Sequence, residues 1–209
     1  MTRIALALTA TMLSANTLLA QAAAPRTATP APATPSAVPS AAKQIAAAIL
    51  PLPEEMRADA AVLGYGADGR LTRLREGTNH MVCLADDPRE PGFHASCYHE
   101  TLEPFMARGR ELRASGVTNA EAVDSVRFAD VAAGRIRMPP VAGLYSLTGD
   151  TASWDSTTNQ VRGGRALYVV YVPFATEAST GLSSRPRPGA PWIMAAGTAR
   201  AHIMYFQGR

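Results

Sequence analysis

A chain of 209 residues with a formal charge of +3 carries its positive charge almost wholly on arginine, Lys43 being the only lysine, and intersperses it with aspartate and glutamate. With no basic run and no aromatic residues woven into one, it lacks the footprint of a nucleic-acid-binding protein. The small positive excess bears on solubility more than on partners. Two cysteines are too few to build a zinc site from thiolates alone.

The first residues, Met1-Thr2-Arg3, supply a positive charge ahead of an apolar run from Ile4 to Ala20, and Ala20-Gln21-Ala22 offers the small residues a signal peptidase reads. The pattern predicts a signal peptide over residues 1–22, with cleavage after Ala22 or, alternatively, after Ala24. Thr9, Thr11, Ser14, Asn16 and Thr17 interrupt the run, whereas a spanning helix needs ~20 predominantly apolar residues. No cysteine follows it to carry a lipid anchor. The expectation is a soluble exported protein, periplasmic or extracellular, without stable membrane insertion. Residues 23–39 are nearly all Pro, Ala, Thr, Ser and Val, too poor in bulky apolar surface to order themselves, and read as a disordered leader.

Residues 40–209 are the size of one domain, able to bury ~70% of its surface around a single core. Ser40 is a good N-cap for a helix over Ala41 to Leu50, with Ile45 and Ile49 one turn apart, and Pro51 and Pro53 stop it. Ala61 to Tyr65 and Leu71 to Arg75 flank Asp68-Gly69 as a hairpin. A turn at Gly77-Thr78-Asn79 brings His80 to Leu84 back as a third strand. Asp86 to Gly92 is a polar loop. Leu102, Phe105, Met106 and Leu112 share one face of a helix that begins near Thr101, since Pro104 fits only its first turn, and ends near Gly116. Thr118-Asn119-Ala120-Glu121 has the spacing of a capping box for a second helix, which carries Val123, Val126 and Val131 and can end at Gly134. Ala142 to Leu147 and Ala166 to Val172 read as strands, the second apolar enough to be central. Between them runs a polar loop with Trp154. Phe174 to Arg200, with Trp192, is a long irregular stretch of the kind that serves as a lid or as variable surface, and His202 to Phe206 is the last strand. The pattern predicts a single α+β domain, a mostly antiparallel sheet with helices packed on one face.

The run Leu74-Arg75-Glu76-Gly77-Thr78-Asn79, followed by Cys83 and Cys97 and later by Pro191-Trp192-Ile193-Met194 and Ala201-His202-Ile203-Met204, resembles a group of exported bacterial proteins of unknown function. In that group a glycine follows the asparagine, where this chain has His80. The resemblance covers most of the predicted domain and implies one globular exported domain; it brings no activity, ligand or catalytic residue with it.

Export places Cys83 and Cys97 where disulfides persist, and their number and spacing predict a bond between them. A redox pair would stand closer in sequence. Three of the four histidines, His80, His94 and His99, lie on or beside the cysteine loop. With His202 they are the candidates for a zinc or copper site, although His94 and His99 have no recognised ligand spacing and solvated or core histidines are the plainer reading. Asp86, Asp87 and Glu90 lack the alternating oxygens and central glycine of a calcium loop. Ser179, Thr180 and Ser183 have no nucleophile elbow, and Gly163-Gly164 is a turn rather than a phosphate cradle. His99 and Glu100 could form a base and its orienter, but neighbouring residues point apart. Trp154 and Trp192 either anchor long loops or offer an aromatic face to a ligand. No cofactor motif and no assembled catalytic set emerges. The sequence therefore favours a non-catalytic domain that binds a small molecule or an envelope component. The alternatives are a metal-dependent hydrolase built on the histidines and a structural envelope protein. Convergence of the four histidines in one cleft separates the enzyme from the binding module.

Overall fold

A computed structural model describes residues 38–150, 154–155, 157–187 and 189–206; the predicted signal peptide and the leader up to residue 37 lie outside them. Helix α1 (Ala41–Ala48) starts at Ser40, whose hydroxyl accepts from Lys43 N, and is followed by the short α2 (Glu54–Arg57). The predicted hairpin forms as β1 (Ala61–Tyr65) and β2 (Leu71–Arg75), and the third strand as β3 (Met81–Leu84). An unanticipated strand, β4 (Phe93–His99), follows the polar loop. A 3-10 turn (Glu100–Leu102) leads into α3 (Glu103–Ala114), and α4 (Ala120–Ala132) comes next. Asn119, one residue later than the capping-box pattern suggests, caps α4 by accepting from Ala122 N at 2.9 Å.

The C-terminal strands are β5 (Ala142–Gly149) and β8 (Arg165–Tyr171), and between them the loop holds a small ribbon, β6 (Trp154–Asp155) with β7 (Gln160–Val161). The irregular stretch contains α5 (Glu177–Thr180) and β9 (Trp192–Met194), and β10 (His202–Phe206) ends the described chain. Eight strands make one sheet in the order β2-β1-β3-β4-β5-β8-β10-β9. Every pairing is antiparallel except β1 with β3, which run parallel. The class is α+β with a mostly antiparallel sheet.

The helices are shared between both faces, where one face was expected. Val62, Met81, Cys83 and Cys97 pack with Ala48, Ile45 and Ile49 of α1 and its flank. Their strand neighbours Ala61, Val82 and Tyr98 pack with Leu102 and Met106 at the start of α3. Successive strand residues point to opposite faces, so the two clusters lie on opposite sides of the sheet. The cause is legible in hindsight: Ala61-Val62-Leu63 and Met81-Val82-Cys83-Leu84 are continuous apolar runs, and such strands need cover on both faces.

Two polar devices hold these layers. Gln44, buried in α1, accepts from Tyr65 N at 2.7 Å and donates to Tyr65 O at 2.8 Å and Pro39 O at 2.8 Å. Its amide thus stands in for β3, which pairs β1 only as far as Leu63. On the other face Asp130 of α4, also buried, accepts from Arg108 Nε of α3 at 2.8 Å and from Arg135 Nε and Nη2 at 2.9 and 2.5 Å. Hydrogen bonds from Arg135, then Arg108, hold its carboxyl below the usual carboxylate range.

Cys83 and Cys97 face each other across β3 and β4 with Cα atoms 4.0 Å apart, disulfide-bonded and fully buried. The bridge closes a short loop, worth ~3 kcal/mol by chain entropy. Thiol titration of unfolded, unreduced protein is expected to find none free among the two; two per chain would contradict the bridge. Asp130 contributes stability that is complete above the unfolded carboxylate value of ~3.9 and is lost as pH falls through its lower folded value. Melting temperature followed downward from pH 5 is therefore expected to fall in that window, and Asp130→Asn is expected to melt lower at pH 7 and to lack that part of the acid-induced fall.

Candidate functional site

The recognisable run from Leu74 to Asn79 is built into the scaffold. Arg75 donates to Ala60 O at 2.9 Å and Arg57 O at 2.6 Å, and Asn79 Nδ2 donates to Met56 O at 2.8 Å. Thr78 N donates to Asp59 O at 2.7 Å, and Asn79 Oδ1 accepts from Met81 N at 3.1 Å. These two side chains and the Thr78 amide satisfy the carbonyls that follow α2 and carry the chain across the start of β1. His80, next in line, has φ of 61°, the left-handed region that favours glycine.

The four histidines do not converge. His80 Nδ1 lies 2.8 Å from Glu100 Oε1, and the rings of His80 and His99 are 6.1 Å apart. The partner of Glu100 is therefore His80 and not its neighbour His99, whose Nδ1 lies 2.9 Å from Thr101 Oγ1. The β3–β4 register sets this by pairing Met81 with His99. His94 stands at the opposite end of β4, its Nε2 3.2 Å from Ser146 Oγ; burial, then the charge of Arg113, lowers its pKa. His202 is on β10, where its Nδ1 lies 2.6 Å from Arg200 O and its ring faces Tyr171. Among the described residues, no three His, Cys, Asp or Glu side chains stand close enough to hold a metal ion.

The acidic loop is occupied too. Asp86 accepts from His94 N at 2.8 Å. Burial alone would raise Asp87, but the hydrogen bonds from Arg89, at 2.8 and 2.6 Å, outweigh it and hold Asp87 low. Tyr65, half-buried and beside Asp87, is pushed up to about 12 by its burial first and by Asp87 next.

The surface of the described residues includes two clefts beside the sheet. One, of about 440 Å³, lies beside the crossing strand connection and holds Arg73, Glu76, Thr78, His80, Glu100 and Glu103 over an apolar floor. Its charges are largely matched internally: Arg73 with Glu76, His80 with Glu100, and Glu103 with Arg110. The other, of about 560 Å³, lies on the α1 face. Its floor is Leu147 of β5 with Ala166 and Tyr168 of β8, one wall is the Leu50–Pro53 turn, and the other is the β6–β7 ribbon. Tyr168 is the middle ring of a row across three paired strands, 5.4 Å from Tyr145 and 6.1 Å from Tyr205, parallel to the latter within 9°.

Of the two tryptophans, Trp154 packs with Ala47, Phe93 and Ala95 and donates to Asn159 Oδ1 at 3.1 Å, so it ties the ribbon wall to the core. Trp192 is buried on β9 with its ring against Phe206. The tyrosine row escaped the sequence reading because the three residues are distant in the chain; the signal was a tyrosine on each of three predicted strands, two on the middle one, useful only once the order β5-β8-β10 is known. Compared with protein-family models, curated proteins and solved structures, the chain matches none.

Proposed function

We infer that the protein is an exported, non-catalytic binding domain whose ligand seats in the cleft over β5 and β8. The observation that carries the reading is the Tyr168 cleft itself. About 560 Å³ is the size of a small-molecule pocket, and such pockets are mainly apolar with a few polar groups to orient the ligand. Leu50, Pro51, Leu147, Ala166 and the Tyr168 ring supply the apolar surface, and Arg57, Asn159 and Arg165 supply polar groups. A small ligand with one flat apolar face suits it. The wide separation of His94 and His202 from the His80–His99 pair speaks for binding over metal-dependent hydrolysis, and the signal-like opening and the buried disulfide speak for export.

Saturation-transfer NMR with a panel of cyclic and aromatic fragments is the direct test. Fragments are expected to bind saturably at one site, and Tyr168→Ala is expected to weaken them by roughly tenfold or more while the protein remains folded. Stoichiometric zinc or copper in protein purified without chelator, lost in His99→Ala, would overturn the reading in favour of the hydrolase.

A further inference from the structure

The lining of the Tyr168 cleft holds a fixed cation and a fixed hydrogen-bond donor with no carboxylate to offset them. Every aspartate and glutamate of the chain lies among the described residues, and none of them lines this cleft. The Arg73 cleft, by contrast, holds Glu76, Glu100 and Glu103. The cation is Arg57, beside the Leu50–Pro53 wall, where its Nε donates to Leu52 O at 2.8 Å and its Nη2 to Leu50 O at 3.2 Å. Two neutral carbonyls thus fix the plane of the guanidinium. It takes part in no ion pair among the described residues, and Nη1 and one hydrogen of Nη2 are left for a ligand. Arg165 also lines the cleft, but it is exposed and alternates along β8 with Ala166 of the floor, so Arg57 is the cation held in place. On the opposite wall Asn159 Oδ1 accepts from Trp154 Nε1 at 3.1 Å. An indole N–H only donates, so this bond orients the amide and leaves Nδ2, which has no other partner among the described residues, as a donor.

Of the carboxylates in the flanking segments, Asp155 is engaged by Thr157 N and Thr158 N at 2.8 and 3.4 Å, and Asp150 lies beside Gly163. Glu54 and Glu55 share α2 with Arg57 but form no ion pair with it. Donors and a cation without a matching anion select a negatively charged ligand, and a planar guanidinium takes a carboxylate through paired hydrogen bonds. The floor selects the rest, since Leu147, Ala166 and the half-buried Tyr168 ring offer a flat apolar surface. We propose that the ligand of this cleft is a planar organic anion, an aromatic or cyclic carboxylate whose charged group seats on Arg57 while its ring lies on Tyr168. The sign of that charge has meaning only if the cleft is the binding site, the reading on which this inference rests.

Three probes built on one ring system, naphthoate, naphthamide and naphthylmethylammonium, separate charge from shape when titrated into the purified protein near neutral pH. Naphthoate is expected to bind roughly tenfold more tightly than naphthamide, and the ammonium more weakly than either. Arg57→Gln is expected to bring naphthoate down to the affinity of naphthamide and to leave naphthamide unchanged. Arg165→Gln removes the same charge and is expected to keep the preference, whereas Tyr168→Ala weakens all three probes together. The ranking in the wild-type protein is read without any variant, so a loss of stability in Arg57→Gln leaves the test intact. Naphthamide and the ammonium binding saturably and as tightly as naphthoate would overturn the anionic ligand and leave the Tyr168 cleft standing as a binding site. A preference for naphthoate that survives in folded Arg57→Gln would overturn it as well. Failure of all three probes to bind would remove the cleft reading and the anionic ligand with it.

Discussion

A Cβ on Gly77 would stand 2.2 Å from the amide nitrogen of Ala61 and 2.8 Å from the carbonyl carbon of Ala60, so the chain can cross the start of β1 there only as glycine. The need is for closeness: Gly77 is not among the residues with positive φ. The parallel partners β1 and β3 are joined through β2, and within that connection five residues, 76–80, carry the chain from β2 to the far side of β1, because the crossing hugs the strand end and is tied down by Arg75, Thr78 and Asn79. β3 then lies where it can present Cys83 to Cys97 and pair with β4, and the remaining strands add outward from that edge.

Much of the architecture was legible before any coordinates. The hairpin of β1 and β2 coincides with its predicted bounds because Asp68-Gly69 is a strong turn signal and Gly69 indeed has φ of 72°. β10 likewise coincides. Strand β4 was not legible: Phe93-His94-Ala95-Ser96-Cys97 is polar or small at most positions, and its strand character comes from neighbours on both sides rather than from propensity. The ribbon β6–β7 and the edge strand β9, two or three residues each, are too short to leave a periodic trace. The parallel β1–β3 pairing could not be read either, since a turn after a hairpin normally continues the meander.

The functional layer was less legible, for a related reason. The disulfide follows from counting cysteines. The histidines looked gathered because the chain places three of them within 20 residues, yet β4 is long enough to set His94 and His99 at opposite ends, and pairing with β3 joins His80 to Glu100 instead. The tyrosine row depends on strand order, which residue spacing does not encode. Conversely, in the motif that stands out most, Arg75 to Asn79, the Arg75 and Asn79 side chains and the Thr78 amide are spent on backbone carbonyls and Gly77 on close approach, so much of its distinctiveness reflects a steric constraint.

That constraint can be tested without knowing the ligand. Gly77→Ala should lose more than about 3 kcal/mol of stability through overpacking against rigid backbone. Gly143→Ala, whose added Cβ would meet nothing within 4 Å, should stay within about 0.5 kcal/mol of the parent. Denaturant unfolding of the two variants beside the parent is the measurement. A Gly77→Ala protein that unfolds at the parent's midpoint would contradict the account of the crossing and of the sheet that rests on it.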